Sequence, residues 1–183
     1  MTSEQAEAAL VLSREQGFAS RVAEATMLRG WALVEQGQGE AGIAQLRQGW
    51  AAHRATGATS AGYRPLLAEG FWKAGQIEEG LRVLAGQKGV AVHRLQGELL
   101  LTRSSEHQAE AETCFCQALE AARYQQAKSL ELRAAMSLSR LWQRQGRCQE
   151  AYVLLAPVYG WFTEGFDTAD LQEAKMLLEE LTG

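Results

Sequence analysis

The side chains able to do chemistry are few and scattered. The histidines His53, His93 and His107 are 40 and 14 residues apart. His53 is expected on a solvated helix face, and His107 is expected to open a helix after a polar turn. A zinc site needs three or four ligands in register, and Cys114-x-Cys116 lacks the usual two-residue spacer. No metal and no cofactor are expected. The chain has no G-x-x-x-x-G-K-[ST] phosphate cradle, no H-E-x-x-H and no G-x-S-x-G. Glu78-Glu79 and Glu179-Glu180 are adjacent pairs, so their carboxylates splay apart on a helix instead of sharing a proton. Catalysis is therefore not expected, and what chemistry remains is recognition.

Two features suit recognition. Arg133, Arg140 and Arg144 stand at i, i+7 and i+11, one face of one helix. Guanidinium groups match planar carboxylates and phosphates, so an acidic partner segment is expected. The alternative is a solvated basic face, or ion pairs to Glu131 and its neighbours. The second feature is Tyr159-Gly160-Trp161-Phe162-Thr163-Glu164-Gly165-Phe166-Asp167. Its four aromatics could form a ligand pocket or plug the open end of a helical stack, with the Trp161 ring buried. The plug is the expected role.

The elements that must position these residues are helical. Ala, Leu, Gln, Glu and Arg dominate the 183 residues, and the only prolines are Pro65 and Pro157. No stretch alternates with period two in β-branched residues. Hydrophobic residues are 46% and charged residues 22%, an ordinary globular balance. A net charge of −4 gives no reason to expect a nucleic-acid partner. No apolar run has membrane-spanning length, and Met1-Thr2-Ser3-Glu4-Gln5 lacks signal-peptide character. Cys114, Cys116 and Cys148 are odd in number and are read as reduced thiols of a cytoplasmic protein.

The hydrophobic period places helices at about 3–16, 19–36, 39–56, 60–74, 76–87, 90–103, 107–124, 127–145, 148–159 and 168–181. Gly17, Gly37, Gly57, Gly75 and Gly146 each follow a helical stretch, where a left-handed cap is wanted. Asp167 or Thr168 is placed to cap the last helix, with Asp170 near its positive end. Short connections between helices imply antiparallel hairpins.

The hairpins repeat. Small residues recur on the first helices (Gly30, Ala68, Gly97, Ser139) and on the second (Gly42, Gly80, Ala111, Ala151). The apolar anchors of the second helices are Leu46, Leu84, Phe115 and Leu155, separated by 38, 31 and 40 residues. The tetratricopeptide repeat has a period of about 34 and the pattern W-x2-L-G-x2-Y, then A-x3-F. This chain departs from it: no repeat has the opening Trp or the closing Pro, and the third has the longer turn Ser104-Ser105-Glu106-His107. The expected architecture is an all-α, right-handed superhelical stack of antiparallel hairpins with about ten helices. It forms one domain over 1–183: a half repeat at 1–17, hairpins at 19–57, 60–88, 90–124 and 127–159, and an aromatic loop and capping helix at 160–183.

Three stretches carry a resemblance. They are Ala118-Leu119 to Trp142, Gly160-Trp161-Phe162-Thr163-Glu164-Gly165-Phe166-Asp167-Thr168-Ala169-Asp170-Leu171, and His93-Arg94-Leu95-Gln96-Gly97-Glu98-Leu99-Leu100. They resemble the C-terminal tetratricopeptide region of large bacterial signalling ATPases and class III adenylate or guanylate cyclases, strongly over about 60–183. In such proteins the helical repeats act as a sensor or scaffold arm beside a nucleotide-binding ATPase module. The resemblance implies a part, or a stand-alone relative, of that arm, and it implies no activity.

The expected function is a non-catalytic protein-interaction or effector-sensing scaffold. In tetratricopeptide geometry the first helices line a concave groove. The groove-facing candidates are Trp31, Glu69, Trp72, Arg94, Glu98, Arg133, Arg140 and Arg144, with Met27, Glu35 and Lys73 at related positions. The expected partner is a peptide, a helix or the ATPase module of a larger protein, with no nucleic acid bound directly and no membrane. The alternative is a small-molecule sensor with a pocket between the helices near Trp31, Trp72 and the arginines.

Overall fold

The computed structural model describes Val11, residues 18–57 and residues 61–183. Apart from Val11, which is helical, the helix expected over 3–16 and its Gly17 cap lie outside the described residues. Among those described there are nine α-helices, two short 3-10 turns and no strand. The helices are α1 (Ala19–Glu35), α2 (Gly39–Ala55), α3 (Arg64–Lys73), α4 (Ile77–Leu84), α5 (Val90–Arg103), α6 (Gln108–Tyr124), α7 (Lys128–Arg144), α8 (Cys148–Tyr159) and α9 (Ala169–Thr182).

Two helices are shorter than the hydrophobic period suggests. α3 starts at Arg64, with Pro65 in its first turn and the 3-10 turn Ala61–Tyr63 ahead of it. The first turn is where a helix loses nothing by the missing proline N–H, so Pro65 suits this start. α4 stops at Leu84, because Gly86 and Gly89 take φ values of +69° and +139°. The chain divides there into two compact units, one ending at Gln87 and the next starting at Lys88.

Within the N-terminal unit α1 pairs with α2 and α3 with α4, while α3 also packs on α1 and α2. Within the C-terminal unit α5 pairs with α6 and α7 with α8. There α7 also packs on α5 and α6, and α9 packs on α7 and α8. In each unit, then, a new first helix lies against both helices of the preceding hairpin.

One turn recurs between the paired helices. Gly37, Gly75 and Gly146 have φ of +79°, +74° and +78°. In each case the following N–H reaches back five residues: Gln38 to the Leu33 carbonyl (2.9 Å), Gln76 to Phe71 (2.8 Å) and Arg147 to Trp142 (2.8 Å). This is the glycine-dependent Schellman end of a helix. The same pattern closes α6, where Ala127 N–H donates to the Ala122 carbonyl at 3.0 Å, but Gln126 holds the left-handed position at φ +53°.

Packing follows the small residues. A Cβ on Gly30 would lie 2.7 Å from the Gly42 carbonyl oxygen, and one on Gly49 would lie 2.7 Å from Met27 Cγ. The α1 and α2 backbones therefore touch, which only glycine permits. In the third hairpin a Cβ on Gly97 would strike the Phe115 ring, 2.8 Å from Cδ1. In the fourth, buried Ser139 donates its Oγ to the Ala151 carbonyl across the crossing at 3.1 Å. Leu46, Leu84, Phe115 and Leu155, the four expected anchors, are all fully buried. Each such side chain contributes about 1.5–3 kcal/mol of transfer free energy.

The Gly97 contact gives a direct test. Gly97→Ala should lower stability in a urea titration by about 1–3 kcal/mol through overpacking. Phe115→Leu in the same chain should recover part of that loss, because it removes the ring the new methyl meets. Purely additive losses would show that the two residues do not share this contact.

Candidate interaction site

The expected groove residues fall into separate groups. In the N-terminal unit, Lys73 on α3 is the hub. Its ammonium pairs with Glu35 on α1, lies 3.7 Å from Glu69, and sits over the Trp31 ring at 5.5 Å from the centroid. Trp31 is half-buried, and its Nε1 has no hydrogen-bond partner among the described residues. Trp72 is half-buried beside this cluster in sequence.

In the C-terminal unit, α7 does present its arginine row, and α9 already engages it. Arg133 Nε donates to Asp170 at 2.7 Å, and Arg140 Nη2 donates to Glu173 at 2.9 Å. Gln143 adds a bond to Glu180 at 3.2 Å. The partners are thus carboxylates of the last helix, not Glu131. Arg144, one turn further on, is exposed and has no carboxylate partner among the described residues. Arg94 is half-buried, and Glu98 accepts a 2.6 Å hydrogen bond from Ser137 Oγ that ties α5 to α7.

Glu131 has a different role. It is 4% exposed, accepts from Lys128 Nζ at 2.7 Å and from Arg123 Nε at 3.0 Å, and lies in the first turn of α7. Burial alone would push its carboxyl up. The hydrogen bonds from Lys128 and Arg123 outweigh burial and hold it below the ordinary glutamate value. Its ionised form also suits the positive end of the helix.

A second network escaped sequence reading. Trp142 Nε1 donates to Glu112 at 2.7 Å, and Arg147 Nη1 donates to the same carboxylate at 3.0 Å. Arg147 also grips Glu150 with Nε (2.9 Å) and Nη2 (2.8 Å) and lies 4.5 Å from the Trp142 ring centroid. Glu150 and then Glu112 raise the Arg147 pKa further above its already high value. These contacts staple α6 to the α7–α8 turn. The only sequence signal was Arg147 directly after a turn glycine.

Three expectations are corrected. His53 is not on a solvated face: it is 2% exposed, between Trp50 (6.4 Å, near-parallel) and Tyr63 (5.3 Å, edge-on). Neither ring nitrogen has a hydrogen-bond partner among the described residues. Leu46, Gly49 and His53 form one helical stripe, so its position on the core side of α2 was readable from spacing. Trp161 is 58% exposed and Phe166 is exposed too. Phe162 and Tyr159 do pack on the core, and Leu171, Ala174, Leu177 and Leu181 of α9 are buried in it, while Trp161 is not among the residues packed there. Thr168 is the residue before α9, yet its hydroxyl donates to the Gly165 carbonyl at 2.7 Å and does not cap the helix.

Other groups are structural. Trp50, Arg54, Arg64 and Arg82 line a cleft of about 240 Å³. Arg54 and Arg82 sit in the last turns of α2 and α4, and Arg64 donates to the Val83 carbonyl at 3.1 Å. Cations there offset the negative ends of both helices. Cys114, Cys116 and Cys148 are free thiols, and burial pushes those of Cys114 and Cys116 above the ordinary value. Among the described residues no group of three or more His, Cys, Asp or Glu is placed to hold a metal, and no helix is long and apolar enough to cross a membrane. No family model, no curated protein and no solved structure matches this chain.

Two outcomes follow. Glu131 has a lowered folded-state pKa, so its stabilisation is fully present above the unfolded value and is lost as pH falls through the folded one. In urea titrations Glu131→Gln should destabilise at neutral pH, and the gap to the parent should close as the buffer is acidified below the ordinary glutamate range. A gap that stays constant with pH would mean the ion pairs are not responsible. Trp161→Ala should change stability by less than about 0.5 kcal/mol, as expected of an exposed side chain. A loss of several kcal/mol in thermal melts would place the ring in the core.

Proposed function

We propose that the chain is a non-catalytic scaffold of the tetratricopeptide type, its hairpins stacking in the right-handed solenoid of that class. The observation that carries this reading is the recurrence of one hairpin device. The same turn at Gly37, Gly75 and Gly146 joins helices whose crossings hold a small residue and a fully buried anchor. Each later first helix within a unit packs on both helices of the hairpin before it, the neighbour rule of stacked repeats. Such a stack presents its first helices to a partner, and the candidates there are Trp31, Glu69, Trp72, Arg94, Glu98 and Arg144. Arg133 and Arg140 enter only if α9 releases them. The resemblance to the repeat arm of bacterial signalling ATPases and cyclases supports a peptide, a partner helix or an ATPase module as the occupant.

A two-hybrid screen followed by titration of the purified pair tests this. The partner should bind with an affinity that falls as salt rises, and Trp72→Ala combined with Arg144→Ala should weaken it while the melting temperature stays put. Turnover of a small substrate by the purified chain, sensitive to none of these residues, would overturn the scaffold reading.

A further inference from the structure

Two clefts on the C-terminal unit share Arg123 as a common wall. The first, about 430 Å³, is bounded by Trp142, Val153, Leu154 and Pro157 beside Arg123. The second, about 420 Å³, is bounded by Arg123, Gln126, Lys128 and Trp161. Neither includes a residue of the expected groove.

The first cleft is apolar, and its apolar wall faces solvent. Val153 is 61% exposed on α8, and Tyr152 beside it is also exposed. Pro157 lies inside α8 and has no N–H, so the Val153 carbonyl loses its regular helical donor. The only carboxylate in this wall, Glu150, is held on both oxygens by Arg147.

The second cleft is cationic. Among the described residues Arg123 and Lys128 share a single carboxylate, Glu131, so one positive charge is left over there. Arg123 uses its Nε on Glu131, and both of its Nη groups remain for a further acceptor. Trp161 lies exposed beside them, with Lys128 Nζ 5.8 Å from its ring centroid. Gln126 holds the left-handed turn between these cations, where glycine would be the unstrained choice.

We propose that the joined clefts are a docking site for a peptide segment of a partner protein in which an apolar side chain neighbours a carboxylate. The apolar side chain seats against Val153, Leu154 and Pro157. The carboxylate meets Arg123 and Lys128. Charge complementarity within the second cleft selects this occupant: among the described residues Arg123 and Lys128 there face one buried carboxylate, Glu131, and Trp161 stands exposed beside them. The clefts are open to solvent and adjoin at Arg123, which suits a segment with successive side chains better than a small molecule that must be enclosed. The proposal rests on the scaffold reading and adds a second surface to it.

The test uses fluorescence anisotropy on the full chain. One probe is a fluorescein-labelled peptide of roughly twelve residues alternating leucine and glutamate, and the other alternates leucine and lysine. The acidic probe should bind at least about tenfold more tightly, with affinity falling as salt rises. Val153→Glu should weaken it by about tenfold or more without moving the melting temperature, because Val153 is exposed. Arg123→Gln should weaken it similarly, and Arg144→Gln should change it by less than about twofold. Binding lost with Arg144→Gln but kept with Val153→Glu would overturn the cleft and leave the scaffold reading standing, with the peptide on α7. Binding of neither probe also overturns the proposal, and the two-hybrid partner then decides the scaffold reading separately. Concentration-dependent dimerisation abolished by Val153→Glu would assign the cleft to a second copy of this chain and overturn the peptide.

Discussion

The close approach of paired helices is the constraint on which the rest depends. At Gly30, Gly42 and Gly49 there is no room for a Cβ, and at Gly97 the space belongs to the Phe115 ring. A crossing held this tightly fixes the rotation of each helix about its axis. It therefore decides which side chains turn inward and which face out. Met27 and Leu46 are fully buried because the glycines beside them let the backbones meet, while Trp31, one turn from Met27, is turned to the edge where Lys73 covers it. The fourth hairpin meets the same constraint with Ser139 and Ala151, and there the approach also satisfies a polar group.

Once the crossings are set, most of the charge is spent internally. Lys73, Arg133, Arg140 and Arg147 each find a carboxylate on another helix, while Arg123 and Lys128 share the single carboxylate of Glu131. Partly exposed pairs contribute little stability, typically below about 1 kcal/mol each. Their effect is on choice of register, since the hydrogen-bonded distances of all these pairs are met together only at the observed alignment. Glu131 stands apart because it is buried, so removing its partners would leave an uncompensated charge in the core.

Helices and anchors were legible because they rest on local rules. Leu46, Leu84, Phe115 and Leu155 follow from periodicity, and Gly37, Gly75 and Gly146 from the need for positive φ after a helix. The site was less legible because it depends on which helix comes to lie opposite. Nothing in the spacing of Arg133 and Arg140 says that Asp170 and Glu173, more than thirty residues later, will face them. The same holds for Trp142 and Glu112, which meet only through the packing of α7 on α6. Trp161 was misread for a related reason: its burial depended on whether the loop or α9 covered the end of the core.

The docking of α9 shows how an acidic segment is held by this kind of surface. Leu171, Ala174, Leu177 and Leu181 form one buried stripe, and Asp170 and Glu173 each stand one residue ahead of a member of it. Burial of the leucines supplies about 1.5–3 kcal/mol each, well above what an exposed ion pair provides. The stripe thus gives the attachment, and the arginines select the register. An outside partner for Arg133 and Arg140 would have to displace both, whereas the wall of Val153, Leu154 and Pro157 beside Arg123 and Lys128 joins the same two ingredients with no helix laid over it among the described residues. Apolar surface next to unspent cationic charge is the combination that α7 and its neighbours offer to α9, and α8 repeats it facing solvent.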